Sequence, residues 1–131
     1  MLAQRNPQEA YRRVDFDARV SVADPKQLVT LCYEQFIAAL GSALIAHERA
    51  DNQLKSQAMT RALSALMALQ MGVSETEGVA KALVQLYGAA RRSLLDNVLH
   101  FDPRVVATIR QDFMDIARAM NGSASGGMSG S

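Results

Sequence analysis

Apolar residues in this chain recur at steps of three and four, and the breaks in the pattern coincide with capping residues. The first start is Asp24-Pro25-Lys26-Gln27. Aspartate accepts from free backbone N–H groups, proline suits the first helical position, and glutamine three residues on completes a capping box. Val29, Cys32, Phe36, Leu40, Ala43 and His47 then share one stripe until the polar run Arg49-Ala50-Asp51-Asn52, which predicts a helix from Pro25 to near Arg49. Asp51 or Asn52 caps a second helix, with Ala58, Ala62, Ala65, Leu66 and Leu69 turned inward and an end at Met71-Gly72. Its small residues permit close approach to a neighbour. The S-x-x-E run Ser74-Glu75-Thr76-Glu77 predicts the start of a third helix of about seven turns, carrying Val79, Leu83, Leu86, Ala90, Leu94 and Val98 on one stripe. Asp102-Pro103 opens a fourth, whose Val106, Ile109, Phe113, Ile116 and Met120 form one face that stops at Asn121-Gly122.

Beyond residue 24 nothing shows the alternating β-branched pattern of strands. The chain therefore reads as all-α. Four amphipathic helices joined by short links have nowhere to pack but back along one another, which predicts an antiparallel up-down four-helix bundle over 24–121. Residues 1–23 are polar with scattered Tyr11, Val14, Phe16, Val20 and Val22, and are expected to be a partly ordered segment able to cap the bundle. Residues 122–131, rich in glycine and serine, are expected to be a flexible tail.

Composition narrows the class. A chain of 131 residues, 49% hydrophobic and 21% charged, has the size of one domain and enough apolar content to fold. A net charge of +1 supplies no general field for a phosphate backbone, so nucleic acid is disfavoured. Cys32, the one cysteine, cannot make an internal disulfide or a cysteine-rich zinc site, and this points to a reducing, intracellular setting. No uninterrupted apolar run approaches about 18 residues. Met1-Leu2-Ala3-Gln4-Arg5-Asn6-Pro7 lacks the basic-then-apolar order of a signal peptide. Neither membrane insertion nor secretion by that route is expected.

Catalytic chemistry has no candidate. The chain contains no G-x-x-x-x-G-K, H-E-x-x-H, G-x-S-x-G or C-x-x-C, so catalytic, cofactor and metal residues are all expected to be absent. His47 and His100 stand at the C-terminal ends of the first and third predicted helices, where a histidine meets free carbonyls and the negative end of the dipole. A phosphorylated histidine fits poorly, because His47-Glu48-Arg49-Ala50 lacks the lysine and glycine that usually follow one in helical phosphotransfer domains. Asp112 and Asp115 lie three apart without a histidine within a turn, and Cys32 falls on an apolar stripe as a small hydrophobe.

What the chain has in excess is apolar surface. On the second helix Met59, Leu63 and Met67 form a row beside the alanine stripe, so apolar residues from Leu54 to Met67 cover an arc of about 220°, against about 100° for a helix facing one core. Leu28, Leu31 and Ile37 extend the first helix likewise, and Tyr87 and Leu95 the third. Two explanations compete: a wide core with ordinary exposed leucines, or a groove that accepts an apolar helix from a partner. Seven methionines and no tryptophan favour a deformable surface. Self-association through that surface would give the same pattern.

The order of residues adds a resemblance. Tyr11 near the start, followed by Ala23-Asp24-Pro25-Lys26-Gln27-Leu28-Val29-Thr30-Leu31-Cys32-Tyr33-Glu34, resembles the "A-S-P-x-x-L-x-x-x-L-Y-D" opening of the flagellin-specific export chaperones, the FliS family. Leu66-Met67-Ala68-Leu69 closes the second helix as that family's L-x-x-x-L does. Val79-Ala80-Lys81-Ala82-Leu83-Val84-Gln85-Leu86-Tyr87 is similar to its "I-A-K-N-L-x-x-L-Y", and Arg92, Leu94, Leu95, Leu99 and Asp102 keep the register of the following "R-R-L-x-x-A-N-L-x-x-D". The likeness spans about residues 11 to 120. The chain departs from it in a longer link at 71–78, in Gly88 and Ala89 after the L-Y, and in Asn97-Val98, where the asparagine is one place off. A divergent flagellin, or a different client, fits these changes.

The resemblance implies a cytoplasmic chaperone, not an enzyme, that binds the C-terminal segment of flagellin, keeps it from polymerising and hands it to the type III export gate. The client segment would become helical on apolar grooves of the bundle, and other flagellar regulators are conceivable partners. By helical phase and family register the client-binding residues are Leu28, Leu31, Met59, Leu63, Met67, Tyr87 and Leu95, with Tyr11 on a displaceable cover. The chain would be a monomer or weak homodimer. The competing reading is a homodimeric helical adaptor or regulator that buries the same surface in itself and has no flagellin client.

Overall fold

Five helices follow one another along the chain: α1 (Pro7–Val22), α2 (Pro25–Glu48), α3 (Asn52–Gly72), α4 (Val79–Leu99) and α5 (Pro103–Ser129). The structure is a computed structural model that describes residues 7–22, 24–73 and 78–129, and no strand occurs among them. The all-α reading is correct. The helix count is five rather than four, for residues 7–22 are helical where a partly ordered segment was expected. Pro7 stands at the first position and Arg19 in the last turn of α1, both suited to helix ends.

Two further boundaries differ from those read in the sequence. Helix α4 begins at Val79 behind Gly78, whose φ of 66° lies in the region glycine enters without penalty. Ser74 to Glu77, expected to cap it, lie outside the described residues. Helix α5 continues through the expected stop at Asn121-Gly122 to Ser129. Glycine and serine lower helix propensity without forbidding the conformation, and each residue added to an existing helix gains one more hydrogen bond.

The other ends follow the capping logic closely. Gln27 N–H donates to Asp24 Oδ1 at 2.8 Å while Asp24 N–H donates to Gln27 Oε1 at 3.0 Å, which makes the box reciprocal. Asp51 accepts from Leu54 N–H at 3.0 Å, and Asp102 from Arg104 N–H at 3.0 Å. Between α2 and α3 the chain reverses through Ala50 at φ 55°. There Asp51 N–H reaches Ala46 O at 2.9 Å and Ala50 N–H reaches His47 O at 3.1 Å, the paired bonds of a Schellman turn.

Helices α2 to α5 share one core, built from Cys32, Tyr33, Phe36, Leu40, Leu66, Tyr87, Leu94, Val106 and Phe113 among others. The α2–α3 pair is the most intimate, for Ala39, Ala43, Ala46, Ala58, Ala62 and Ala65 are all buried and let the two backbones approach. Helix α5 lies along the other flank of α2, α4 packs on α3, and α4 and α5 touch less than the other neighbouring core helices; among the described residues α1 rests on α2. At 24 residues α2 is long and apolar enough to cross a bilayer by length and composition, a test that core helices also pass. Here its stripe is buried against α3 and α5.

Candidate functional site

Among the described residues, two phenols meet at the centre of the core. Tyr33 Oη and Tyr87 Oη lie 2.7 Å apart, joining α2 to α4 across the interior. Phe113 packs against both rings, with centroids 5.7 Å from Tyr33 and 6.0 Å from Tyr87, and lies 4.5 Å from Phe36. Burial pushes the Tyr33 phenol well above its ordinary range, and the hydrogen bond to Tyr87 adds to this. Burial likewise raises Tyr87 and the Cys32 thiol, so all three are held neutral and offer no ionised nucleophile. Cys32 is core, as its stripe predicts.

The end where α2 meets α3 is held by an aromatic clamp. His47 stacks 4.6 Å from Phe101, Lys55 Nζ lies 3.1 Å from His47 Nδ1, and the same ammonium sits 4.9 Å over the Phe101 ring. Nearby, the buried Asn97 donates from Nδ2 to Ser93 O at 2.8 Å and accepts Asp102 N–H on Oδ1 at 2.6 Å, fixing the α4–α5 turn. His47 and His100 thus stand at helix ends, as expected: His47 in the last turn of α2 and His100 at the C-cap of α4. Among the described residues no three His, Cys, Asp or Glu side chains are grouped to hold a metal. These contacts hold helix ends and the interior together.

The eight residues singled out by sequence divide into three sets. Leu31, Met59 and Tyr87 are buried. Met59 belongs to the inward stripe because Ala62 and Leu66 lie three and seven residues on, and Tyr87 is drawn in by its bond to Tyr33. Leu31 is buried outside the main core cluster, one turn before Glu34, which binds Arg19 of α1 at 2.9 Å. Leu28 and Leu63 are half-buried, and Leu63 packs against the core. Met67 and Leu95 are 48% and 44% exposed, and Tyr11 is 75% exposed on α1.

Two flanks of the core helices complete the surface. Arg110 of α5 donates from Nε to Ile37 O at 2.9 Å, so that flank of α5 faces α2 and the opposite one, with Val105, Ile109 and Ile116, faces α4. Tyr87 beside Tyr33, and Phe101 beside His47, show that α4 runs parallel to α2. Because every α-helix has the same hand, helical phase then places Leu63 and Met67 of α3 and Val84, Leu95 and Val98 of α4 along one α3–α4 seam. Val98 was assigned to the core stripe by its period, yet it is 53% exposed. The 4-3-4-3 spacing of Val84, Gly88, Arg91, Leu95 and Val98 marks this second row, and read as a separate stripe it would have found Val84 and Val98.

Comparison with known proteins bears on the whole of this fold. The family described as flagellar protein FliS matches residues 7–123. A flagellar secretion chaperone FliS from Salmonella typhimurium is 27% identical over 114 residues, covering 85% of this chain and 84% of that protein. The match begins at α1, covers α1 to α4 in full and takes in α5 as far as residue 123.

Proposed function

Because this chain belongs to the FliS family, a family of chaperones and not of enzymes, we propose that it is a cytoplasmic flagellar secretion chaperone. It binds the C-terminal segment of flagellin, prevents its premature polymerisation and delivers it to the flagellar type III export apparatus. The observation that carries this reading is the row of apolar side chains left outside a complete core, Met67, Leu95 and Val98 beside the half-buried Leu63. A monomeric protein leaves such a row open when something else covers it. A disordered client segment that folds as an amphipathic helix suits it, since ordering offsets part of the contact energy and leaves the complex able to release its cargo at export. Leu28, Leu63, Met67 and Leu95 are the contacts on this reading, Leu31, Met59 and Tyr87 support them from beneath, and α1 with Tyr11 is the displaceable cover over the N-terminal part of α2.

The test is a titration of the purified chain with the C-terminal segment of the host flagellin, followed by calorimetry and circular dichroism together. Saturable binding with a gain in helix and a negative heat-capacity change is expected. No binding by a correctly folded chain overturns the flagellin reading in favour of another client. The mass of the free chain in solution separates the chaperone, monomeric or weakly dimeric, from an adaptor that buries this row in a second copy.

A further inference from the structure

Charge along the proposed client row is one-sided. Helices α3 and α4 carry Lys55, Arg61, Lys81, Arg91 and Arg92 against the single carboxylate Asp96, although the whole chain amounts to only +1. Lys55 is occupied in the clamp with His47 and Phe101. Lys81, Arg91 and Arg92 are exposed and form no ion pair among the described residues, whereas Arg19, Arg104 and Arg118 on other helices each do.

Their placement follows the helical repeat. Arg91 lies between Gly88 and Leu95 on the apolar row, at steps of three and four, and Lys81 and Arg92 fall on its outer border. Gly88 lowers the floor between them: a Cβ built there would meet nothing nearer than Arg92 Nη1 at 3.6 Å. A rod-shaped partner lying along Leu95 and Val98 would therefore bring one edge within reach of two guanidinium groups and an ammonium. Guanidinium favours carboxylate as a bidentate partner. A helix with cations on that edge would meet like charge in a partly desolvated seam.

We infer that the α3–α4 row selects an amphipathic helix bearing carboxylates along the edge that meets Lys81, Arg91 and Arg92, with the apolar row supplying contact and the cations supplying orientation and capture rate. This deepens the chaperone reading and rests on it for the identity of the client, but the chemistry can be tested without flagellin. The probes are two designed peptides of about 20 residues with one apolar face in common, one flanked by glutamates and the other by lysines. The full chain is titrated with each at low and at physiological salt.

The acidic peptide is expected to associate about tenfold faster or more than the basic one, with the difference shrinking as salt rises. An R91E/R92E variant, shown folded by circular dichroism, is expected to reverse the preference. Equal binding of both peptides, binding of neither, or a preference that survives R91E/R92E overturns the inference. Because the flagellin segment is titrated separately, its failure alongside a strong acidic-peptide preference removes the flagellin reading and leaves this one, and the converse removes only this one.

Discussion

Tyr33 and Tyr87 share a hydrogen bond of 2.7 Å at the centre of the protein, one from the second helix and one from the fourth. Each hydroxyl is the other's partner in an otherwise apolar core, so removing one leaves the other buried and unpaired. Tyr33→Phe and Tyr87→Phe should each cost about 1–2 kcal/mol, and the double variant less than their sum. Urea denaturation of the three variants checks this; additive losses would show that the bond contributes nothing.

The same pair sets the response to alkali. Tyrosine in an unfolded chain titrates near about 10, and burial raises both phenols above that in the folded state. The folded protein thus holds protons that the unfolded chain releases, and the stability they contribute is complete below about pH 10 and declines as pH rises past it. Denaturation midpoints should fall steeply there, and less steeply in the double phenylalanine variant. An unchanged slope would place the alkaline loss elsewhere.

Ala50 holds φ 55° in the turn between α2 and α3. A Cβ in that region costs roughly 1–2 kcal/mol, against about 0.4–1 kcal/mol for the added freedom of glycine in the unfolded chain. Ala50→Gly should therefore raise stability by about 0.5–1 kcal/mol, read from the thermal midpoint.

Gly41 lies under Arg110, whose Nε would be 3.1 Å from a Cβ added there. Replacing glycine by alanine inside a helix ordinarily gains about 1 kcal/mol. Here the methyl group must displace the guanidinium that binds Ile37 O, so Gly41→Ala alone should gain little. In an Arg110→Ala background it should recover the full gain, and the double-mutant cycle gives the coupling directly.

Core and surface should also separate by mutation. Phe113→Asp buries an unpaired charge among Tyr33, Phe36 and Tyr87 and should cost more than about 4 kcal/mol. Met67→Asp and Leu95→Asp alter side chains that are about half exposed, so melting should change little while titration with the flagellin segment loses affinity. Equal unfolding by all three would merge the proposed row with the core.

The sequence made the interior helices legible because their signals were local. The Asp24–Gln27 box, Asp51 and Asp102 each specify a helix start within one turn, and the alanines of α3 already announced a close neighbour. What it could not show was what lay opposite. Tyr87 reads as surplus apolar surface until Tyr33 is found across the core, and Val98 reads as core until α3 proves not to cover it. Helix α4 starts at Val79 behind the positive φ of Gly78, and the Ser74 to Glu77 cap read in the sequence lies outside the described residues. Helix α1 was missed because its sequence is polar and no long apolar stripe marks it.

The alanine seam between α2 and α3 also sets the order in which the molecule comes apart. Two backbones drawn together by six buried alanines shield their amides most completely, while α4 and α5 approach each other less closely than the other neighbouring core helices. In deuterated water the amides of α2 and α3 should be the last to exchange and those of α4 the first among the core helices. A chain stapled on one side and only lightly closed on the other opens first along that second side, and can shut again without passing through the unfolded state.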